Sequence, residues 1–336
     1  MQNREAWDAQ AGLESAFARR GSTVSQSQQQ VVAAIPVHGY AASQPVTGSP
    51  HSVQPTFVWT RDEIYVPIAI RKPPGAGPFP VIVMGRGNGR GGMPHVIREV
   101  ERCASMQDLM IERGYVVAYV NYRNEVPHLY NEIDAAQLIQ DDMTDVGRVR
   151  RSTASLDSDD FTAVLRYLQT LPYVDRDAIG AMGVSHGGEI IMKAAAATTF
   201  GAGVVIEGAS HEFLVVDTGP SIPRKDGEIQ YQDLEFARAH ADKARAMARI
   251  ARIRTPILHV GRDSDHLQGI FKLGHEWMRE AGKDSTWVSF DHPEHGYPFI
   301  YRQPDGSYRP DRVQSEAFAV IMDYFDRHLR GRRPNP

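Results

Sequence analysis

The sequence alternates between short apolar runs and longer amphipathic segments. The apolar runs are bounded by glycine, proline or charged residues, a pattern typical of buried strands. These runs comprise residues 81–84, 115–120, 179–184, 204–206, 256–260 and 287–290. The segments between several of them carry apolar residues at helical spacing. This alternation predicts an α/β fold with a mostly parallel, doubly wound sheet and helices on both of its faces.

The predicted helices differ in the strength of their pattern. The strongest covers residues 157–170, since its apolar residues recur at i, i+3, i+4 and i+7, and Pro172 ends it. Those apolar residues are Phe161, Val164, Leu165 and Leu168. Further helices are predicted over residues 96–113, near 232–251 and over 318–325.

The boundaries follow from composition. Residues 1–55 are a lead-in with one weak helical pattern at 3–20 and a stretch rich in Ser, Gln, Gly and Pro, which predicts extended or partly ordered chain. One domain is expected over residues 56–330. It opens with two strands, the second of which is predicted at the sheet edge because it contains Pro67. Residues 208–254 form an insertion, either a small lid over the sheet or a solvated connecting helix.

Composition narrows the class of protein. The 336 residues are 42% hydrophobic and 23% charged, as in soluble globular proteins. The net charge of −4 gives no basic surface for nucleic acid, and no apolar run is long enough for a membrane span. The lone cysteine, Cys103, is interpreted as a buried hydrophobe. With no ordinary signal peptide we expect a cytoplasmic protein, twin-arginine export through Arg19-Arg20 being the alternative.

One glycine-rich turn joins a predicted strand to a predicted helix. Its sequence is Gly183-Val184-Ser185-His186-Gly187. In a nucleophile elbow such a turn holds the serine in strained backbone geometry and projects its hydroxyl above the sheet edge. The helix N-terminus favours negative charge that develops there. Ser185 is therefore the candidate nucleophile, the alternative being an inert serine in a tight turn.

A serine hydroxyl reacts only when a base removes its proton and an acid orients that base. In sheets of this kind the chain order is Ser, then Asp or Glu, then His. Asp263 and Asp265 follow the strand that ends at Val260. His292 and His295 follow the strand that ends at Phe290. The order and the strand-end positions predict a Ser-His-Asp triad at one edge of the sheet.

Several motifs, in this order, resemble α/β-hydrolases of the dienelactone hydrolase and prolyl-oligopeptidase-like branch. They are the segments 80–87, 114–117, 121–123, 171–175, 183–188 and 293–297. The likeness spans about residues 56–330 and implies the α/β-hydrolase fold. It also implies a serine hydrolase that needs no cofactor.

The resemblance implies a role for individual residues. Ser185 is the nucleophile and His295, followed by Gly-Tyr where the family usually has Gly-Phe, is preferred to His292 as base. Asp265 is preferred to Asp263 as acid because the following His-Leu matches the usual ending of that motif. Glu207, directly after the strand at 204–206, is a third candidate acid.

The loop after Met84 is expected to complete the site. The backbone N–H of His186 and that of Gly87 or Asn88 are predicted to hold the oxyanion. Arg86 stands where many relatives carry histidine, and it is a candidate, with Arg90, for binding a substrate carboxylate. The alternative is that both are solvated loop arginines.

The departures from the family bear on the substrate. Dienelactone hydrolases use cysteine at the elbow, and prolyl-oligopeptidase relatives usually carry a β-propeller for which residues 1–55 are too few. We therefore expect cleavage of a small carboxylic ester. The alternatives are a peptidase or amidase acting on a short peptide, and a non-catalytic binding protein. No metal is expected. The residues that could form a metal site are Asp263, Asp265, His266, His292 and His295. Oligomeric state is not predicted.

Overall fold

The structure is a computed structural model that describes residues 41–60, 65–86, 92–122, 157–217, 222–225 and 229–331. Several predictions fall outside these ranges. They concern the helix at 3–20, the Arg19-Arg20 pair, Gly87, Asn88 and Arg90. The elements described below begin at Gln54, close to the predicted start of the domain.

Eight strands form one sheet in the order β1-β2-β4-β3-β5-β6-β7-β8. The strands are β1 (Gln54–Trp59), β2 (Tyr65–Arg71), β3 (Phe79–Gly85), β4 (Val116–Val120), β5 (Val174–Val184), β6 (Ala202–Ile206), β7 (Ile257–Arg262) and β8 (Ser285–Phe290). All neighbours from β4 to β8 pair in parallel, and only β1–β2 and β2–β4 are antiparallel. The predicted mostly parallel sheet of the α/β-hydrolase fold is confirmed.

Helices cover both faces of the sheet. They are α1 (Gly92–Arg102), α2 (Ala104–Glu112), α3 (157–168), α4 (His186–Ala197), α5 (Leu234–His240), α6 (Lys243–Ile250), α7 (Gln268–Glu280) and α8 (Arg312–Phe325), the last followed by a π-helical turn at Asp326–Arg330. Successive residues of β3 enter opposite cores. Val81 and Val83 pack with α3, α4 and α7, whereas Ile82 and Met84 pack with α1, α2 and α8. A strand buried on both faces has no polar side, which explains its continuous apolar run.

The predicted edge position of β2 is wrong. β2 lies between β1 and β4, and β1 is the edge strand. Pro67 is tolerated because it faces the end of its neighbour: β4 stops at Val120, and the N–H of Asn121 donates to the Pro67 carbonyl. The missing N–H of the proline therefore removes a bond only at the margin of the ladder.

Two predicted helices are each divided. The helix expected over 96–113 is interrupted at Cys103, which is fully buried. The helix expected near 232–251 is two short helices, because Ala241 pairs with Val216 in an isolated bridge and the Asp242 side chain caps α6 by accepting from the Arg245 N–H. The helices α5 and α6 lie beside α7, to which Arg238–Glu276 and Lys243–Glu280 ion pairs connect them. Among the described helices we find none with the length and apolarity of a membrane span.

Candidate active site

Ser185 lies at the sharp turn between β5 and α4. Its backbone has φ 55° and ψ −117°, in the left-handed region that non-glycine residues rarely occupy. Two hydrogen bonds connect the turn to β6 and the loop after it: the Ser185 N–H donates to the Ile206 carbonyl at 2.9 Å, and the Ala209 N–H donates to the Ser185 carbonyl at 3.1 Å. The strained conformation is thus maintained by the end of β6 and the loop that follows it.

Glycines on both sides of Ser185 are required by close backbone approaches. A Cβ on Gly183 would lie 2.6 Å from the carbonyl carbon and oxygen of Gly187, and a Cβ on Gly187 would lie 2.7 Å from the Gly85 carbonyl oxygen. These contacts are with main chain of the turn and of β3, which cannot rotate away. The two glycines therefore allow β3, β5 and α4 to meet where the serine is presented.

Replacement of Gly187 by alanine is expected to lower the free energy of unfolding by about 1–3 kcal/mol, the usual cost of overpacking. The matched control is Gly274→Ala in α7, where the new Cβ would meet only Leu214 Cδ1 at 3.8 Å. Because alanine is favoured over glycine inside a helix, that variant should gain up to about 1 kcal/mol. Denaturant unfolding of both variants measures the difference, and equal stabilities would contradict the assigned backbone contacts.

His295 is carried by the loop after β8, next to the elbow. A Cβ on the following residue, Gly296, would lie 3.1 Å from Val184 Cγ1, so the loop packs against the last residue of β5. The Nδ1 atom of His295 forms a 2.7 Å hydrogen bond with Asp265 Oδ2. A carboxylate only accepts, so Nδ1 carries a proton, and in the neutral imidazole Nε2 is left with its lone pair. Within the described residues, the Ser185 hydroxyl makes no hydrogen bond.

Asp265 is held rigidly in the loop after β7. Its Oδ1 accepts from the Leu267 N–H at 2.8 Å, and its Oδ2 accepts from Arg262 Nη2 at 2.8 Å. The residue is only 1% exposed. Burial alone would raise the pKa of this carboxyl, but the hydrogen bonds from His295, Leu267 and Arg262 outweigh it and the pKa is lowered. Asp265 is therefore a fixed negative charge beside the imidazole.

A second carboxylate meets the same imidazole nitrogen. Glu207 follows β6 directly, is fully buried, and places Oε2 at 2.7 Å from His295 Nδ1 as an ion pair. The same oxygen accepts from the Gly296 N–H at 2.6 Å. Burial acts to lower the pKa of His295, but the two carboxylates outweigh it and raise the pKa to about 9.

The other candidate acid and base have different partners. The Asp263 carboxylate accepts from the Ser289 hydroxyl in β8 and is exposed. His292 Nδ1 accepts from the Glu294 N–H at 3.0 Å, so its Nε2 carries the proton and donates to Asp311, the N-cap of α8, at 2.9 Å. Both ring nitrogens of His292 are thus used, and its role is to fasten α8 to the β8 loop.

His186 begins α4, where backbone N–H groups point out of the helix N-terminus. Its side chain is directed away by a 2.7 Å contact between Nε2 and Oδ2 of Asp157, which is fully buried at the start of α3. This contact joins residues 29 positions apart and fixes the first turn of α4. The other predicted oxyanion donors, Gly87 and Asn88, lie outside the described residues.

Arg86 is half-buried at the end of β3, against the loop that carries His295. Its guanidinium carbon lies 4.7 Å from the ring centroid of Tyr301 and 5.6 Å from that of Phe299. A Cβ on Gly296 would lie 3.2 Å from Arg86 Nη2. Arg86 is thus packed on aromatic rings beside the site rather than freely solvated, and its role in binding a substrate carboxylate remains a prediction.

Three of the five residues considered for a metal gather in the structure. Ligand atoms of Asp265, His266 and His295 lie within 4.8 Å of one another. The guanidinium of Arg262, however, donates to Asp265 Oδ2 through both Nε and Nη2. A cation beside that oxygen would be repelled, and His295 Nδ1 already faces two carboxylates. These residues are therefore not assigned as metal ligands.

Two contributors to the site were not singled out from the sequence. Arg262, the last residue of β7, forms an ion pair with Asp265, and Asp157 anchors His186. The only available signal for Arg262 was its position between a strand-end glycine and an acidic loop. Asp157 was assigned only to the start of a helix, because a contact across 29 residues has no local signature.

Comparison with known proteins identifies relatives of this arrangement. A family model described as the prolyl oligopeptidase family matches residues 147–332, which include Ser185, Asp265 and His295. No curated protein matches the sequence. Several solved structures are similar to this chain. Because their sequence identities are below 25%, the similarity concerns the fold alone.

Three of these structures illustrate the range of hydrolases that share the fold. The acylaminoacyl peptidase of Pyrococcus horikoshii is 19% identical over 85% of this chain and 43% of its own, with a TM-score of 0.54. A protein described as a dienelactone hydrolase from Klebsiella pneumoniae is 14% identical over 81% and 97%, with a TM-score of 0.52. An esterase of Pyrobaculum calidifontis is 14% identical over 84% and 86%, with a TM-score of 0.52. The chain thus spans less than half the length of the peptidase.

Proposed function

Because this chain belongs to the prolyl oligopeptidase family and is a serine hydrolase of the α/β-hydrolase superfamily, we propose that it cleaves a carboxylic ester through an acyl-enzyme intermediate on Ser185. The observation that supports this most strongly is the hydrogen bond between His295 and Asp265, made beside a serine in elbow geometry. That combination supplies a nucleophile, a base and a fixed charge.

In the first half of the reaction, Ser185 Oγ bonds to the ester carbonyl carbon and its proton moves to Nε2 of His295. Collapse of the tetrahedral intermediate breaks the bond to the alcohol oxygen, which leaves with that proton. The Ser185–His295 hydrogen bond forms as substrate enters, since such bonds are often long or absent in the empty enzyme. Asp265 keeps the imidazole in the required tautomer through Nδ1.

In the second half, His295 takes a proton from water as the water oxygen attacks the acyl carbon. The proton returns to Ser185 Oγ when the carboxylic acid leaves, so the enzyme is restored without a cofactor. The oxyanion of both steps is assigned to the His186 N–H and to a second donor from Gly87 or Asn88. The contact of His186 with Asp157 holds the first of these donors in place.

A peptidase or amidase is the second candidate function, favoured by the family match and by the acylaminoacyl peptidase among similar structures. An alkoxide leaves more readily than an amine, so an acyl-enzyme site that handles amides also handles the matching esters. Ester cleavage is therefore the activity we place first. The proposed substrate is a small-molecule ester.

An ester and an amide of one acyl group, assayed with the purified chain, distinguish the two. We expect turnover of the ester and no measurable turnover of the amide, because a site that cleaves amides also cleaves the matching ester and the ester rate alone does not distinguish them. Turnover of the amide would reassign the protein as an amidase or peptidase. No turnover across a panel of both would favour a binding protein.

A further inference from the structure

Glu207 is the buried group that the proposed triad leaves unexplained. We propose that it is a second acidic positioning residue, which shares Nδ1 of His295 with Asp265, moves the onset of hydrolysis to higher pH, and supports catalysis when Asp265 is lost. This inference rests on the proposed role of His295 as base. It is carried by the position of Glu207 Oε2, which lies as close to Nδ1 as Asp265 Oδ2 does, both at 2.7 Å.

The main chain holds Glu207 in this position. Its N–H donates to the Val260 carbonyl in β7 at 3.0 Å, and its φ of 45° is another left-handed value at a non-glycine residue. The residue before it, Ile206, accepts from the Ser185 N–H. Glu207 is therefore anchored to the elbow on one side and to the strand of Asp265 on the other. Strained residues so fixed are concentrated at functional sites.

Among the described residues, the side chain of Glu207 has no positive partner other than His295. Oε2 accepts from the Gly296 N–H and faces His295, while Oε1 is buried without a hydrogen bond. A buried carboxylate oxygen lacking a donor is costly. Arg262 pairs with Asp265, so the imidazole of His295 is the cationic group that Glu207 contacts within the described residues.

The charged or titratable groups near His295 come from several neighbouring elements among the described residues. They are Asp265 and His266 in the loop after β7, Arg262 at the end of β7, Glu207 after β6 and Arg86 after β3. Of these, only Asp265 and Glu207 are acids that contact the imidazole. Burial of His295 opposes its protonation. The two carboxylates must therefore account for its raised pKa.

The direction of the effect on rate follows from the role of the base. A general base acts only when neutral, so kcat/KM rises as pH passes the pKa of His295. With both carboxylates present that pKa is about 9, well above the ordinary 6.5. Removal of one negative charge within contact distance lowers it by about 1–3 units. The rise in rate should move to lower pH by the same amount.

The experiment compares pH profiles of kcat/KM for one ester with the full-length wild type, Glu207→Gln and Asp263→Asn. Glutamine keeps the acceptor for Gly296 and removes only the charge. We expect the wild-type rise near pH 9 and a shift of about 1–3 units downward in Glu207→Gln. Asp263→Asn removes a charge at the same sheet edge but away from the imidazole, and its profile should match wild type.

Asp265→Asn tests the supporting role. With Glu207 in place we expect a loss of about 10- to 100-fold, well short of the roughly 10⁴-fold that follows loss of a sole orienting carboxylate. The double variant Asp265→Asn/Glu207→Gln should show the full loss of roughly 10⁴-fold in rate.

The outcomes separate this inference from the proposed function. An active wild type whose rate rises near the ordinary histidine pKa, or a Glu207→Gln profile that does not move, would overturn the role of Glu207. The wild-type profile can therefore contradict the role of Glu207 even if the variant fails to fold. A wild type that hydrolyses no ester and does not react at Ser185 would instead overturn the proposed function.

Discussion

Replacement of Ser185 by alanine is expected to reduce kcat for ester hydrolysis by about 10⁵-fold or more, because no covalent route remains. A residual rate of about 10³–10⁴ over water would persist through the oxyanion donors and substrate binding. The fold should be retained, since Ser185 contributes backbone rather than side-chain hydrogen bonds to the turn. Steady-state kinetics with an activated ester measures the loss.

The matched control for this variant is Ser264→Ala. Ser264 is exposed in the loop that carries Asp265. Its activity should stay close to that of wild type. A Ser185→Ala protein that keeps a substantial part of the wild-type kcat would remove Ser185 from the mechanism.

His295→Ala is expected to cost nearly as much, about 10⁴–10⁶-fold in kcat, because residues of such a triad act as one unit. Without the imidazole, no base oriented by Asp265 is left among the described residues. The serine hydroxyl therefore keeps its proton. The pH profile should also lose the rise assigned to this histidine. The measurement is kcat against pH for the variant and wild type.

His292→Gln serves as control, since His292 is three residues away and contacts Asp311 and the Glu294 N–H rather than Asp265. The His292→Gln variant should keep most of the activity. Its free energy of unfolding should fall, because the contact with Asp311 at the start of α8 is lost. The reverse result, with His295→Ala active and His292→Gln inactive, would exchange the two assignments.

Most of the fold was predictable because its periodicity is local. The continuous apolar runs of β3, β4 and β6 reflect strands covered on both faces, and the 3.6-residue pattern of α3 reflects its single buried face. Exceptions came from tertiary context. Pro67 suggested an edge, but it is tolerated inside the sheet because β4 ends beside it.

The prediction of the site rested on the positions of the strand ends. In a parallel sheet the loops after β5, β7 and β8 emerge at one edge, so the sequence predicted that Ser185, Asp265 and His295 would be neighbours. The choice between Asp263 and Asp265 needed coordinates, since both lie in the same short loop and only side-chain direction differs. Only Asp265 lies against His295.

The strand-end position of Glu207 made it the third candidate acid, but its contact with His295 beside Asp265 was not predictable from the sequence. Its nearness to His295 depends on a left-handed backbone at residue 207 and on hydrogen bonds to two other strand ends. Neither has a local sequence signature, and glutamate is not a residue that predicts positive φ. The role of the group can only be argued from the way three loops converge.

The central claim is that Ser185 is the covalent nucleophile of a serine hydrolase, and its most direct test is reaction of the native chain with a fluorophosphonate. Mass spectrometry of the digested protein should place one phosphonyl group on the peptide containing Ser185. Ser185→Ala should remain unlabelled, and His295→Ala should react far more slowly. Modification at another residue, or equal labelling of wild type and Ser185→Ala, would contradict the account.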